Sequence, residues 1–119
     1  MNVLIRKAEE NDVPHLARLM GELGYPTTIE EMEARFSNIN ASPFYHTFVA
    51  EVNGIVAGMI GMIWSHHYEK NDDYVRIVAF VVDSNYRKQG VGKKLLLETE
   101  VWAKEKRDSK ACFEQWKPR

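Results

Sequence analysis

Apolar residues recur along this chain with two different periods, and the change of period divides it. Residues 3–8, VLIRKA, read as a short first strand. Val13, Leu16, Leu19, Met20 and Leu23 then return at helical spacing. Asn11 or Asp12 can cap that helix, with Pro14 in its first turn. Gly24 ends it, and Pro26 bars its continuation. Thr28 and Glu31 have the spacing of a capping box, in which each side chain takes a free backbone N–H. The helix they open carries one apolar stripe, Met32, Phe36 and Ile39. Residues 40–43 form a loop.

The period then falls to that of strands. HTFVAEV (46–52) and IVAGMIGMIW (55–64) flank Asn53-Gly54, a pair suited to a two-residue hairpin because both positions need positive φ. A polar stretch at 67–73 leads to YVRIVAFVV (74–82), whose β-branched, nearly unbroken apolar end is that of a central strand. From Val91 the helical period returns in Leu95, Leu96, Val101 and Trp102. The predicted order is strand, helix, helix, three strands, helix: an α/β fold with a mostly antiparallel sheet flanked by helices.

Length and composition narrow the function. The 119 residues suit one domain. Hydrophobic residues at 45% and charged residues at 28% are in globular balance, and a net charge of −1 gives no basic field for nucleic acid. The single cysteine, Cys112, excludes an internal disulfide framework. The longest apolar run, 55–64, is too short for a membrane span, and the N-terminus lacks a signal-peptide layout. A cytoplasmic domain without membrane or nucleic-acid partners is the expectation.

The candidate chemistry lies in VVDSNYRKQGVGKKLL, 81–96, where a strand meets a basic, glycine-rich loop and then a helix. Amides at a helix start lack internal partners and carry partial positive charge. Gly90 and Gly92 permit close backbone approach, and Arg87, Lys88, Lys93 and Lys94 add charge. Such a mouth suits a phosphate or pyrophosphate. A tight turn with solvated lysines would look the same in isolation. The P-loop pattern GxxxxGK[ST] and the dinucleotide pattern GxGxxG are both absent.

The surrounding residues add a resemblance. VVDSNYRKQGVG resembles the acetyl-coenzyme A motif of the GCN5-related N-acetyltransferases (GNAT), with Arg87, Gly90 and Gly92 filling its signature and Val82, Asp83 and Tyr86 preceding it. Ser84 stands where proline is common. IRKAEENDVPHLARLMGELGY and the hairpin VAEVNGIVAGMIG are similar to earlier parts of that family, above all to members like the aminoglycoside acetyltransferases. The likeness spans residues 3 to 106. It implies acetyl-coenzyme A as cosubstrate and a small-molecule or protein amine as acceptor. It also implies loop amides from Lys88, Gln89, Gly90, Val91, Gly92 and Lys93 on the pyrophosphate, and backbone groups of Phe80, Val81 and Val82 on the pantetheine arm. A backbone amide near Val82 would polarise the acetyl carbonyl. Many relatives carry a glutamate on the strand before the motif; here Ile77 and Val78 stand in that region. Glu22, Glu51, Asp72, Asp73, His66 and His67 are the remaining candidate bases, and solvated or packing roles suit each of them. No metal set is completed by the two histidines. The alternative to an enzyme is an inactive relic, a coenzyme A or phosphate-binding module.

The tail RDSKACFEQWKPR (107–119) departs from the family, which continues with further strands. It shows no strand alternation, and the expectation is a domain lacking the C-terminal strands of the full fold. Read from the second base of each codon, Trp116 followed by Lys117 must give glycine, and permitted codons from Arg107 spell GIQRLVLNSGNR, like the family's fifth strand and its turn. A one-base frameshift near residue 107 is the expectation. The bland alternative extends the last helix with Cys112, Phe113 and Trp116 on an apolar face. Either way an uncovered central strand favours a homo-oligomer.

Overall fold

The computed structural model describes residues 2–71, 73–109 and 113–117, with side chains up to Lys106. The strands are β1 (Val3–Lys7), β2 (Tyr45–Val52), β3 (Ile55–His66), β4 (Asp73–Val82) and β5 (Phe113–Lys117). The helices are α1 (Val13–Leu23), α2 (Ile29–Ala41) and α3 (Val91–Ser109). The strands lie side by side in chain order; β1 to β4 are antiparallel and β5 is parallel to β4. The mostly antiparallel α/β sheet flanked by helices expected from the sequence is present.

Local chemistry accounts for the elements. Asn53 and Gly54 hold φ of 52° and 84°, as the hairpin requires. The capping box is formed: Glu31 N–H donates to Thr28 Oγ1 at 3.1 Å, and Thr28 N–H donates to Glu31 Oε1 at 2.9 Å. Gly24 closes α1 at φ 107°, and Tyr25 N–H returns to Met20 C=O at 2.9 Å. Asp12 departs from its expected cap role. Its carboxylate turns back to Glu9 N–H at 2.7 Å and to the Arg6 guanidinium at 2.8 Å. The Arg6 hydrogen bonds hold the Asp12 carboxyl below the usual carboxylate range.

Two cores lie on the two faces of the sheet. Val13, Leu16 and Leu19 of α1 and Met32 and Phe36 of α2 pack with Val49, Met59 and Val81. Val91, Leu95 and Ala103 of α3 pack with Phe48, Ile60, Met62, Val75 and Ile77. Each fully buried Leu or Ile contributes roughly 1.5–3 kcal/mol.

β4 changes face midway. Gly61 opposes Ala79 but Met62 opposes Ile77, so Val78 has no partner across. Before this bulge, Val75 and Ile77 face the α3 core; beyond it, Phe80 and Val82 do, while Val81 joins the α1/α2 core. One extra residue has inverted the alternation.

The tail holds a strand that alternation did not announce. Asp73, Tyr74, Val75 and Arg76 lie opposite Phe113, Gln115, Trp116 and Lys117. The free edge of β4 supplies the pairing, so the segment needs no alternating pattern of its own. The apolar face expected of Cys112, Phe113 and Trp116 lies outside the described side chains, as does the carboxylate of Asp72.

Candidate functional site

β5 pairs with β4 only as far as Arg76, so Ile77–Val82 have no strand on that side among the described residues. The backbone phase there is set by Asp83 N–H, which donates to Ala57 C=O at 2.7 Å. Alternation in an antiparallel pair then turns the N–H and C=O of Phe80 and Val82 away from β3, toward the open edge. The Val81 backbone pairs inward with Met59, and its side chain is buried. Of the three strand residues singled out in the sequence, two present backbone groups to the edge.

Several residues hold the strand's end in place. The buried Asp83 accepts Asn85 N–H at 2.9 Å on one carboxylate oxygen and is bridged by the Arg18 guanidinium on the other. Arg18 also donates to Val56 C=O at 2.8 Å, so α1, β3 and the loop share one clamp. Glu22, from α1, accepts Ser84 N–H at 3.1 Å and Ser84 Oγ–H at 2.9 Å. Donation by the Ser84 amide lowers the Glu22 pKa from its ordinary value. Arg87 turns back: its Nε donates to Val82 C=O at 3.0 Å, and its guanidinium lies 4.0 Å from Glu22. The sequence counted Arg87 among the charges at the loop mouth; here it braces the strand end.

The loop itself is open. Lys88 and Gly90 adopt φ of 65° and 85°, and alternating backbone handedness turns successive N–H groups to one side. Lys88, Gln89, Gly90 and Lys93 are exposed, whereas Val91 is buried as the anchor of α3. Lys94 N–H donates to Gly90 C=O at 3.1 Å, the first bond of the helix. The amides of Val91, Gly92 and Lys93 precede it and have no intrahelical acceptor. A Cβ on Gly92 would stand 3.4 Å from the Phe80 ring. A methyl group there would touch the ring, so the strand and the helix start pack closely at this point.

The candidate bases separate. Glu51 pairs with Arg6, and Asp73 with His66 Nδ1 at 2.6 Å on the α3 side of the sheet. Ile77 is buried in the α3 core, and Val78, at the bulge, is exposed. His67 stacks on Tyr74 with ring centroids 4.5 Å apart, and its buried Nε2 has no partner. Among the described residues no three His, Cys, Asp or Glu side chains group as metal ligands would, and no helix is long and apolar enough to cross a membrane. Arg18, an exposed residue of α1 that no pattern along the chain singles out, and Arg76, a lone cation in an apolar strand, were not among the sequence-based candidates.

Comparison with known proteins agrees with this arrangement. Residues 8–115 match the acetyltransferase (GNAT) family. A GNAT family acetyltransferase from Staphylococcus aureus is 30% identical, with a TM-score of 0.86 over 100% of this chain and 87% of that one. Glucosamine-6-phosphate N-acetyltransferase from Arabidopsis thaliana shares the fold at 24% identity and TM-score 0.81, over 100% of this chain and 82% of that one. AAC(6')-Iy, solved with the bisubstrate analogue CoA-S-monomethyl-acetylneamine, shares it at 20% identity and TM-score 0.80, over 100% and 80%. No curated protein matches the sequence.

Proposed function

Because the chain belongs to the acetyltransferase (GNAT) family, we propose that it moves an acetyl group from acetyl-coenzyme A to an amine by direct attack. One observation carries the reading: the open half of β4 runs into exposed loop amides at the start of α3. A cosubstrate with a diphosphate and an amide-bearing arm suits both. The amides of Lys88 to Lys93 would take the diphosphate, with the exposed Lys88, Lys93 and Lys94 adding charge. The edge N–H and C=O of Phe80 and the N–H of Val82 would pair with the arm, the Val82 C=O being held by Arg87 Nε.

Bound there, acetyl-coenzyme A supplies a thioester that an amine can attack. The chain's part is to orient it and to offer an edge N–H to the carbonyl oxygen as negative charge develops. The amine forms the N–C bond as the C–S bond breaks, and its surplus proton passes through water to solvent or the leaving thiolate.

Calorimetric titration tests the reading. Saturable binding of acetyl-coenzyme A is expected, with ADP weaker by at least about tenfold because it lacks the arm. Gly90→Glu strains a residue at φ 85° and puts a carboxylate into the anion site, so a loss of about a hundredfold or more is expected. No binding to folded protein at millimolar ligand would overturn the proposal.

A further inference from the structure

Arg76 is out of place by ordinary bookkeeping. It lies in β4 between Val75 and Ile77, which face the α3 core, so its side chain projects to the opposite face, with Tyr74. It is half-buried, and its Nε is buried without a hydrogen-bond partner. No carboxylate among the described residues lies within ion-pair distance of it. Asp73 is spent on His66 on the other face. A partly desolvated guanidinium without an anion is costly, and its planar fork is shaped for a carboxylate or phosphate.

The neighbours are of the same kind. Tyr74 shares the face two residues away, and His67 stacks on it with its own unpartnered Nε2. Arg76 is also the last residue of β4 that β5 covers. The unpaired edge begins at the next residue, and the bulge at Val78 comes one residue later. Arg76 is therefore about 7 Å along the strand from the bulge.

We propose that the acceptor amine carries an anionic group, a carboxylate or a phosphate, and that Arg76 receives it beside Tyr74 and His67. The proposal rests on the acetyl-transfer reading for the identity of the amine as acceptor. The edge N–H of Phe80 lies four residues beyond Arg76, roughly 13 Å along the strand, so the anion and the amine are separated by on the order of 10 Å, the span of a small bifunctional molecule.

Titration of 15N-labelled protein with 6-aminohexanoate, 6-aminohexyl phosphate and 6-aminohexanol, without and with coenzyme A, tests it. These probes share an amine and a chain and differ in the anion. Both anionic amines are expected to shift the Arg76 Nε–H and the Tyr74 and His67 ring signals, and to bind about tenfold or more tightly than the alcohol. Arg76→Gln, and Arg76→Met with its apolar stem, should abolish the preference and leave coenzyme A affinity unchanged. Equal binding of the three amines, or a preference that survives both variants, overturns the proposal whatever coenzyme A does. A stronger response to phosphate or to carboxylate identifies which anion the site takes. Failure of coenzyme A alone, with the anion preference intact, overturns the acetyl-transfer reading and not the anion site.

Discussion

From Asp73 to Arg76, β4 has a strand on each side; from Ile77 to Val82 it has one only on the β3 side. In the covered half the edge groups are spent on the sheet, and the polar side chains Tyr74 and Arg76 are what remains to meet a ligand. In the open half the side chains, Ala79 to Val82, are apolar and packed on the cores, and the main chain is what remains. One strand thus offers side-chain recognition at one end and backbone recognition at the other. The bulge at Val78 is the boundary, because it lets both halves bury apolar residues while their alternation is out of phase.

Deleting Val78 attacks the comparison most directly. It leaves Ile77 followed directly by Ala79, a simple alternation that keeps every apolar side chain on its own core, so stability should change by less than about 1 kcal/mol in denaturant unfolding, while the straightened edge should bind coenzyme A at least about tenfold less tightly. Unchanged coenzyme A affinity would show that the bulge separates nothing. Asp83→Ala comes next. It removes the partner of Arg18 and the acceptor of Asn85 N–H at the end of the open half, at a cost of about 2–3 kcal/mol in denaturant unfolding. Coenzyme A affinity should fall with it, whereas His66 and Asp73 at the far end should keep their chemical shifts.

The covered end can be probed by pH. His46, stacked on Trp102 at 4.8 Å, is pushed down to about 4 by burial, then by Lys7 and Lys106. The unfolded chain protonates this ring near pH 6.5 and the folded chain resists, so stability is full above 6.5 and falls as pH drops toward 4. The loss is about 1 kcal/mol, discounted because the ring is partly solvated. His46→Phe should flatten that part of the pH–stability curve, and an unchanged slope would place the titration elsewhere. Glu22→Gln is the mildest change. Its carboxylate is exposed, so melting should not move, while a weaker hold on Ser84 should raise the coenzyme A dissociation constant by about two- to threefold.

Much of this was legible beforehand because it rests on local chemistry. Asn53-Gly54, Thr28 with Glu31, and Gly24 each state a backbone need within a few residues, and the loop at 87–92 announces a helix start beside a strand. The bulge left no trace. In VRIVAFVV nearly every position is apolar, so inverting the alternation changes nothing that a periodicity can register. β5 was hidden for the opposite reason: its placement comes from the edge of β4, forty residues earlier, and not from its own pattern. The clamp of Arg18 on Asp83 spans 65 residues and is equally invisible along the chain. Arg76 was in plain view, but its meaning depended on which face it took and on what failed to meet it there.

The unmatched edge at Phe80 and Val82 also has a consequence in time. Amides inside a sheet exchange with solvent only when the sheet opens, whereas these two stand at the rim of a well-packed strand. They should exchange early while Val81, one residue between them, stays slow. A ligand lying along the edge would act as a temporary sixth neighbour in the sheet and bring the three to a common rate.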